Sequence, residues 1–471
     1  MSEVKCKFKE AVMENKLGEE CGVFGIYDND GLDCSKLTYL GLFALQHRGQ
    51  ESCGIVTNDN RVITYHKDQG RVGDVFNETN LSELQGSMAV GHVRYSTTGQ
   101  SNKQNAQPLV TRYIKGTLVI SHNGNLTNSE ALRSKLEADG AVFQSTTDSE
   151  VIAHLIARQR LKTGTVEDAV AAVMDDIKGA YSMVIMSPKK LIAARDPFGF
   201  RPLCLGMIDN SYVIASETCA LDTVGAKFIR DIEPGEVIVI NEDGLRTVCN
   251  KKAEKTSLCI FEYIYFARSD SKIDGMGVYE AKKLAGKILA QSHPVEADLV
   301  IGVPDSGLDA AIGYSEESGI PYGRGLVVNR YIGRTFIKPQ QSEREASVKI
   351  KLNALKDSVK DKRIVMVDDS IVRGTTCANL VKMLKEAGAK EVHMRISSPP
   401  FLWPCYFGTD VPDREHLVAV NNSLDAICEM IGADSLGYLP VERVHEIAPD
   451  ANLDFCDACF TGHYPYDVNE D

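Results

Sequence analysis

The chain has 471 residues, of which 43% are hydrophobic and 25% are charged. This is the composition of an ordinary globular protein, and the length predicts about two to four domains. Acidic residues outnumber basic residues by 65 to 52, giving a formal net charge of −13, which argues against broad binding to nucleic acid or to an anionic membrane surface.

The amino-terminal leader, residues 1–20, is charged along its length and contains no apolar run. It is therefore not a secretory signal peptide, and no apolar run of about 18 residues elsewhere predicts a membrane-spanning helix. The 13 cysteines are an odd number in a large chain, which argues against a disulfide scaffold. We expect a cytoplasmic protein whose cysteines are reduced, bound to metal or catalytic.

Short apolar runs bounded by Gly, Asn and Asp recur from residue 21 to about residue 250. Such runs predict antiparallel strands, and helical patterns lie between them at 130–139 and 149–160. Groups of strands with segregated helices predict a layered α+β domain over residues 21–250. The charged stretch 250–256 is the predicted linker.

After the linker, apolar runs alternate with helical patterns. Strands are predicted at 298–303, 363–367 and 391–396, and helices are predicted to end near Gly319 and to span 376–387. Strand–loop–helix units predict a parallel sheet whose ligand site lies at the carboxyl ends of the strands. The second predicted domain is therefore α/β and spans residues 258–471.

The segment 21–25 (CGVFG) places a cysteine directly after the charged leader. If the leader is removed, Cys21 carries both a thiol and a free α-amine, whose reference pKa of about 7.7–8.0 suits a general base. Cys21 is then a candidate nucleophile that needs no separate histidine. The alternative is that this cysteine is a small buried hydrophobic residue.

Four further segments follow in order: 45–51 (LQHRGQE), 91–99 (GHVRYSTTG), 121–125 (SHNGN) and 145–150 (STTDSE). Together with Cys21 they resemble the class II, or N-terminal nucleophile, glutamine amidotransferases. The resemblance implies an αββα sandwich in which Arg94 binds the α-carboxylate of glutamine and Asp148 binds its α-ammonium group. It also implies that Asn123 and the amide of Gly124 form the oxyanion hole. The family assigns no base role to three histidines in these segments, His47, His92 and His122.

The segment 367–376 (VDDSIVRGTT) has the sharpest chemical pattern of the second half. An apolar strand ends in two adjacent acids, and a turn rich in Ser, Gly and Thr leads into a helix. Amides and hydroxyls of such a loop bind anions, and Asp368 and Asp369 are suited to sugar hydroxyls or to hydrated Mg²⁺. The alternative is a capped helix start with solvated acids.

This segment resembles the phosphoribosylpyrophosphate (PRPP) loop of type I phosphoribosyltransferases. The resemblance implies that residues 370–376 bind the 5-phosphate, and that Asp368, Asp369 and Ser306 lie at the Mg²⁺ ion. It also implies a pyrophosphate loop at 303–307 and a mobile lid at 330–344, whose cations Arg334, Lys338 and Arg344 neutralise departing pyrophosphate. The implied PRPP-binding residues are Asp305, Ser306, Gly307, Arg334, Lys338, Asp368, Asp369, Ser370, Arg373, Gly374, Thr375 and Thr376.

Four of the cysteines are candidate metal ligands. Cys456 and Cys459 form a C-x-x-C pair, and Cys259 and Cys405 complete a set of four. By spacing alone, zinc and a [4Fe–4S] cluster are close alternatives, because both accept four thiolates.

The order of the two domains resembles the glutamine PRPP amidotransferase family. Its cluster-containing branch carries a structural [4Fe–4S] cluster on cysteines at these four positions and a cleaved propeptide. The resemblance therefore implies a cluster on Cys259, Cys405, Cys456 and Cys459, together with a propeptide over residues 1–20.

The same resemblance implies an enzyme, a pentosyltransferase with glutaminase activity, that transfers glutamine-derived ammonia to PRPP and releases pyrophosphate. The product would be 5-phosphoribosylamine, the first committed intermediate of de novo purine biosynthesis. The family also implies allosteric inhibition by purine nucleotides and a homo-oligomer, usually a tetramer.

Two other functions are possible. The first is another class II amidotransferase, such as one that makes glucosamine 6-phosphate or asparagine, and the loop at 368–376 argues against it. The second is a PRPP- or nucleotide-sensing regulator with vestigial catalysis. The presence of Cys21, Arg94, Asn123 and Asp148 argues against that regulator.

Overall fold

The computed structural model describes residues 20–95, 102–329, 352–411, 413–466 and 468. Within these ranges, the first half of the chain forms two antiparallel sheets and the second half is built around a smaller parallel sheet. No helix among the described residues is long and apolar enough to cross a membrane.

The first half supplies the strands of both antiparallel sheets. They are β1 (Gly22–Tyr27), β2 (Ser52–Asp59), β3 (Val62–Gln69), β4 (Met88–Arg94), β5 (Leu109–Tyr113), β6 (Gly116–Leu126), β7 (Gly179–Ser187), β8 (Lys190–Arg195), β9 (Cys204–Ile208), β10 (Ser211–Ala215), β11 (Lys227–Asp231), β12 (Glu236–Asn241) and β13 (Gly244–Asn250). One sheet has the order β11-β9-β10-β1-β4-β2-β3, and the other has the order β13-β12-β8-β7-β6-β5.

Helices cover the outer face of each sheet. They are α1 (Cys34–Ala44), α2 (Val72–Val75), α3 (Glu78–Ser82), α4 (Ser129–Ala138), α5 (Asp148–Gln159), α6 (Val166–Val173) and α7 (Thr218–Val224), with a 3₁₀ turn at Lys103–Asn105. The helices predicted at 130–139 and 149–160 correspond to α4 and α5, and each begins one residue earlier than expected.

Strand β1 shows why this half forms layers, because both of its faces are buried. Phe24 packs with Leu42 of α1 in the core beneath the helices. Val23 packs with Val184 of β7 in the core between the two sheets. Apolar side chains therefore alternate between two cores, as period-2 strand geometry requires. The predicted αββα sandwich is confirmed.

The second half contains β14 (Leu258–Cys259), β15 (Lys272–Ile273), β16 (Met276–Gly277), β17 (Leu299–Gly302), β18 (Leu326–Val328), β19 (Leu352–Ala354), β20 (Arg363–Asp368), β21 (Glu391–Ile396), β22 (Ser435–Tyr438) and β23 (Phe455–Cys456). Its helices are α8 (Val278–Ser292), α9 (Leu308–Ser318), α10 (Lys356–Val359), α11 (Thr375–Glu386), α12 (Val418–Asn421), α13 (Leu424–Ile431) and α14 (Ala458–Thr461). A π-helical turn spans Glu262–Phe266, and 3₁₀ turns span Arg414–His416 and Val441–Ile447.

The central sheet of the second half has the order β17-β20-β21-β22, and its neighbouring strands are parallel. Gly302 of β17 pairs with Val367 of β20, so both strands end at the same edge of the sheet. The two loops that the sequence predicts to bind PRPP follow these strands directly. The predicted α/β domain with a parallel sheet is confirmed.

Candidate active sites

Cys21 lies directly before β1 and is 6% exposed. Its Sγ donates to the carbonyl oxygen of Tyr95 over 3.4 Å. Because Gly22 pairs with Val93, the thiol lies beside the end of β4, where Arg94 is the last residue. Burial raises the pKa of the Cys21 thiol to about 11, although the charge of Arg94 opposes the shift. The thiol is therefore neutral near pH 7 and needs a base in order to react.

Asp148 is the first residue of α5 and is buried. Burial alone would raise the pKa of its carboxyl, but the charge and hydrogen bonding of His122 and nearby backbone amides hold the pKa below its usual value. One carboxylate oxygen accepts from the Leu126 amide over 3.0 Å. Asp148 and Arg94 both influence the pKa of Cys21, so a carboxylate and a guanidinium lie within electrostatic reach of the thiol. Groups of these charges suit the two ends of an amino acid.

Asn123 and Gly124 lie in β6, which packs against β1 and β4 of the opposite sheet. Asn123 is 1% exposed, and within the described part of the chain its Nδ2 donates to no protein group. Leaving a buried donor unpaired costs about 1–3 kcal/mol, so such a group needs an explanation, and catalysis is one. Gly124 has a φ of +139°, and a Cβ there would lie 2.0 Å from the carbonyl oxygen of Ala180. Only glycine fits beside the unpaired amide.

The three histidines of the matched segments occupy positions that suit packing. The Nε2 of His92 lies 3.0 Å from the carbonyl oxygen of His122, and burial lowers the pKa of His92 to about 3. The Nε2 of His47 lies 2.7 Å from Oε1 of Glu217. His92 is therefore neutral near pH 7, and the Cys21 thiol donates to the carbonyl oxygen of Tyr95 rather than to His92 or His47.

A buried ionic cluster behind Cys21 was not predicted from the sequence. We define it as Glu20, Arg48, Arg201, Glu217 and Glu262. Arg48 donates to Glu217 over 2.6 Å and to Glu262 over 2.8 Å, and its Nε donates to the carbonyl oxygen of Cys21 over 3.0 Å. Arg201 also donates to Glu20. The only sequence signal was that Arg48 lies in the matched segment 45–51, because the partners are far apart in the chain.

The pyrophosphate loop follows β17, and the PRPP loop follows β20. A Cβ on Gly307 would lie 2.2 Å from the carbonyl oxygen of Val367, so glycine lets the two loops approach. Asp368 and Asp369 are buried at the end of β20, and α11 begins at Thr375 after Gly374, whose φ is +83°. The structure therefore brings Asp305, Ser306 and Gly307 together with Asp368, Asp369, Ser370, Arg373, Gly374, Thr375 and Thr376 at one sheet edge.

Two buried oxygens at this edge have no hydrogen-bond partner within the described residues. They are the Oγ of Ser306 and the Oδ2 of Asp369. Oxygen ligands of this kind are those that Mg²⁺ prefers, so the residues fit a hydrated Mg²⁺ ion held between the two loops. Arg334, Lys338 and Arg344 belong to residues 330–351, which lie outside the described residues.

Cys259, Cys405, Cys456 and Cys459 line one cavity, and apolar side chains, among them Phe200 and Phe401, form much of the rest of its wall. Cys259 pairs with Cys456 in the short parallel ladder of β14 and β23. Burial raises the pKa of three of the thiols, those of Cys259, Cys456 and Cys459. All four thiols are free, and no group of three or more His, Cys, Asp or Glu in the described ranges is arranged to hold a metal ion. The structure therefore brings the four predicted ligands to one cavity.

Comparison with known proteins agrees with both halves of the fold. A glutamine amidotransferase domain model matches residues 92–223, and a phosphoribosyl transferase domain model matches residues 276–397. The amidophosphoribosyltransferase of Archaeoglobus fulgidus is 49% identical over 95% of this chain and 98% of its own. That of Bacillus subtilis is 49% identical over 97% of this chain and 96% of its own. The chain belongs to the amidophosphoribosyltransferase family.

Solved structures of such proteins have the same fold. The glutamine PRPP amidotransferase of B. subtilis, in complex with ADP and GMP, superposes with a TM-score of 0.89 at 48% identity and covers 96% of this chain and 98% of its own. A structure described as the allosteric regulatory enzyme of purine biosynthesis gives a TM-score of 0.90 at 48% identity, over 96% of this chain and 97% of its own. The prediction of an amidophosphoribosyltransferase, an enzyme of the first step of purine biosynthesis, is confirmed.

Proposed function

We propose that two separate sites in this chain carry out the family reaction. Cys21 attacks the side-chain amide of glutamine, releases ammonia and forms a glutamyl thioester that water hydrolyses to glutamate. The ammonia then displaces pyrophosphate from C1 of PRPP, giving 5-phosphoribosylamine. The observation that supports this proposal most directly is the unpaired buried amide of Asn123 in a site that also holds Cys21, Arg94 and Asp148.

In the glutamine site, the α-amine exposed by leader removal accepts the thiol proton of Cys21 and passes it to the departing ammonia. The carbon–sulfur bond forms first, while the carbonyl electron pair moves onto the amide oxygen, and the carbon–nitrogen bond breaks when this tetrahedral intermediate collapses to the thioester and the protonated nitrogen leaves as ammonia. Asn123 Nδ2 and the amide of Gly124 stabilise the negative charge that develops on the amide oxygen. Arg94 and Asp148 orient glutamine through its α-carboxylate and α-ammonium groups.

In the PRPP site, Asp368 and Asp369 bind the ribose hydroxyls, and residues 370–376 bind the 5-phosphate at the start of α11. Asp305, Ser306 and Gly307 bind the pyrophosphate group. Mg²⁺, when bound by Ser306, Asp368 and Asp369, neutralises charge on pyrophosphate. By family resemblance, Arg334 and Lys338 contact the same group.

We also assign the four-cysteine cavity to a structural [4Fe–4S] cluster. The four free thiols that line one cavity and the aromatic side chains that enclose it support this assignment. Iron and sulfide analysis of anaerobically purified protein tests the assignment, and stoichiometric zinc without sulfide would refute it.

Further parts of the proposal rest on resemblance. They are a propeptide over 1–20, domains over 21–250 and 258–471, a cytoplasmic location, a homotetramer and inhibition by purine nucleotides. The B. subtilis relative was solved with ADP and GMP, which supports the last of these. N-terminal sequencing of the purified protein tests the cleavage after Glu20, and light scattering tests the tetramer.

The decisive experiment follows pyrophosphate release from PRPP, first with glutamine and then with ammonium. Cys21→Ser should abolish the glutamine reaction and spare the ammonia reaction. Cys249→Ser, at the half-buried cysteine of β13, is the matched control and should change neither. Equal loss of both reactions in Cys21→Ser would refute the division of labour between the two sites.

A further inference from the structure

A segment of the carboxyl-terminal half lies directly on the glutamine site. We call residues 405–410 the bridging segment. The Asn125 side chain donates to the carbonyl oxygen of Tyr406 over 3.0 Å. Arg201 donates to the carbonyl oxygen of Phe407 over 2.7 Å, and the Thr409 hydroxyl donates to Glu20 over 3.1 Å. Asn125 and Tyr406 are 281 positions apart in sequence. Residues from both halves of the chain therefore form this side of the glutamine site.

Two glycines, Gly408 and Gly124, also lie next to each other in this contact. Gly408 has a φ of +107°, and a Cβ there would lie 3.2 Å from the carbonyl carbon of Gly124 and 3.3 Å from its Cα. The same Cβ would also lie 3.3 Å from Nη2 of Arg201. Gly124 is held on its other side, where the Ala180 carbonyl would lie 2.0 Å from a Cβ on Gly124. The backbone of Gly124 is therefore packed between β7 and the bridging segment.

The end of the segment contacts Tyr95, whose carbonyl oxygen accepts a hydrogen bond from the Cys21 thiol. The Tyr95 hydroxyl donates to Oδ2 of Asp410 over 3.3 Å, and the carbonyl oxygen of the same tyrosine accepts from Sγ of Cys21 over 3.4 Å. Asp410 also lies within electrostatic reach of Arg373 in the PRPP loop. The bridging segment thus lies against Gly124, the proposed oxyanion-hole residue, and against Tyr95, which accepts from the Cys21 thiol.

We propose that the bridging segment positions the oxyanion hole, so that the carboxyl-terminal half completes the glutamine site of the amino-terminal half. Gly408 holds the backbone of Gly124 in place, and Asp410 holds Tyr95 beside Cys21. Both are positioning residues and neither touches the reacting atoms. The inference rests on the proposed roles of Cys21, Asn123 and Gly124. An amide that is displaced by a few tenths of an ångström loses its alignment with the developing oxyanion, which lowers the rate more than it lowers substrate binding.

The first test is Gly408→Ala. The new methyl group must displace the backbone of Gly124 or the guanidinium of Arg201. We expect kcat with glutamine to fall at least about tenfold, while KM for glutamine changes by less than about threefold, since removal of a whole oxyanion donor costs about 10²–10³. The ammonia-dependent rate at saturating PRPP should stay within about twofold. Gly244→Ala is the matched control, because Gly244 has a φ of +97° and nothing within 4 Å of a Cβ.

A second pair of variants, at Asp410, tests the same inference if Gly408→Ala does not fold. Asp410→Ala removes the acceptor of Tyr95 and should lower kcat with glutamine, whereas Asp410→Asn keeps an acceptor oxygen and should restore most of it. Parallel loss of the glutamine and ammonia reactions, or an unchanged glutamine kcat in both Gly408→Ala and Asp410→Ala, would overturn the inference. These outcomes are distinct from a failure of the proposed function, in which the wild-type protein itself would release no pyrophosphate with glutamine.

Discussion

The guanidinium of Arg48 donates to the carbonyl oxygen of Cys21 over 3.0 Å, and it also donates to Glu217, Glu262 and Glu20. Glu217 lies just before α7, and Glu262 begins the π-helical turn of the second half. One side chain therefore fixes the nucleophile's backbone and ties it to both halves of the chain.

Arg48→Met should destabilise the protein by about 3–5 kcal/mol, because it leaves buried carboxylates without their cation. We expect glutamine-dependent activity to fall as well, since the Cys21 carbonyl loses its donor. Urea unfolding and the glutaminase assay measure the two effects. Arg112→Met, at an exposed arginine of β5, is the control and should alter neither. Equal stabilities of the two variants would contradict the structural role of Arg48.

Asn123→Ala should lower kcat with glutamine by about 10²–10³ without lowering the melting temperature, because Nδ2 of Asn123 donates to no group in the described structure. Asn58 offers a matched contrast, since it is also buried but donates to the Ser187 carbonyl over 3.3 Å. Asn58→Ala should cost about 1–3 kcal/mol of stability and leave kcat within about twofold. Thermal unfolding and steady-state kinetics distinguish the two, and a large loss of stability in Asn123→Ala would argue for a structural amide.

The pH profile of the glutamine reaction should report the α-amine of Cys21. The amine must be unprotonated to act as a base, so kcat/KM is expected to rise with pH through about 8 and then level off. Burial raises the pKa of the thiol to about 11 and lowers that of His92 to about 3, so neither titrates in this range. A rate that climbs steadily towards pH 11 would instead indicate direct ionisation of the thiol.

Asp369→Asn should impair PRPP turnover with glutamine and with ammonium alike, because Oδ2 of Asp369 is one of the two unpaired oxygens between the PRPP-binding loops. We expect a loss of at least about tenfold in both reactions and a weaker response to Mg²⁺, since one carboxylate charge at the ion is removed. Asp357→Asn, at an exposed aspartate of α10, is the control. If Asp369→Asn lost only the glutamine reaction, Asp369 would act in the glutamine site and not in the PRPP site.

Much of this architecture was predictable because its signals are local. The strand 391–396 was predicted with the bounds it has, and the helix 376–387 lies one residue from α11. Polar loops after apolar strands predicted an anion-binding site at the strand ends for the same reason, and family resemblance assigned that site to PRPP. The bridging segment and the ionic cluster were not predictable, because they join residues such as Asn125 and Tyr406 that are 281 positions apart. Only tertiary packing brings such partners together, and no spacing rule records it.

Some residues of the candidate sites gave misleading or weak signals when considered alone. Gly408 has no motif around it, yet a Cβ at this position would lie only 3.2 Å from the carbonyl carbon of Gly124. Glu20 looked like part of a solvated leader, but it is 1% exposed. Its burial follows from two arginines, Arg48 and Arg201, whose charges require partners once they are enclosed.

Glu20 gives the ionic cluster one more carboxyl group than it has guanidiniums. Three carboxylates, those of Glu20, Glu217 and Glu262, face two guanidiniums, those of Arg48 and Arg201. Burial accordingly raises the pKa of Glu20, although Arg201 and Arg48 oppose the shift. Cleavage between Glu20 and Cys21 would remove one carboxylate and leave two acids against two bases. The raised pKa favours the protonated form of Glu20, so the proposed cleavage would remove a carboxyl group whose charge the interior disfavours, in the same step that creates the nucleophile.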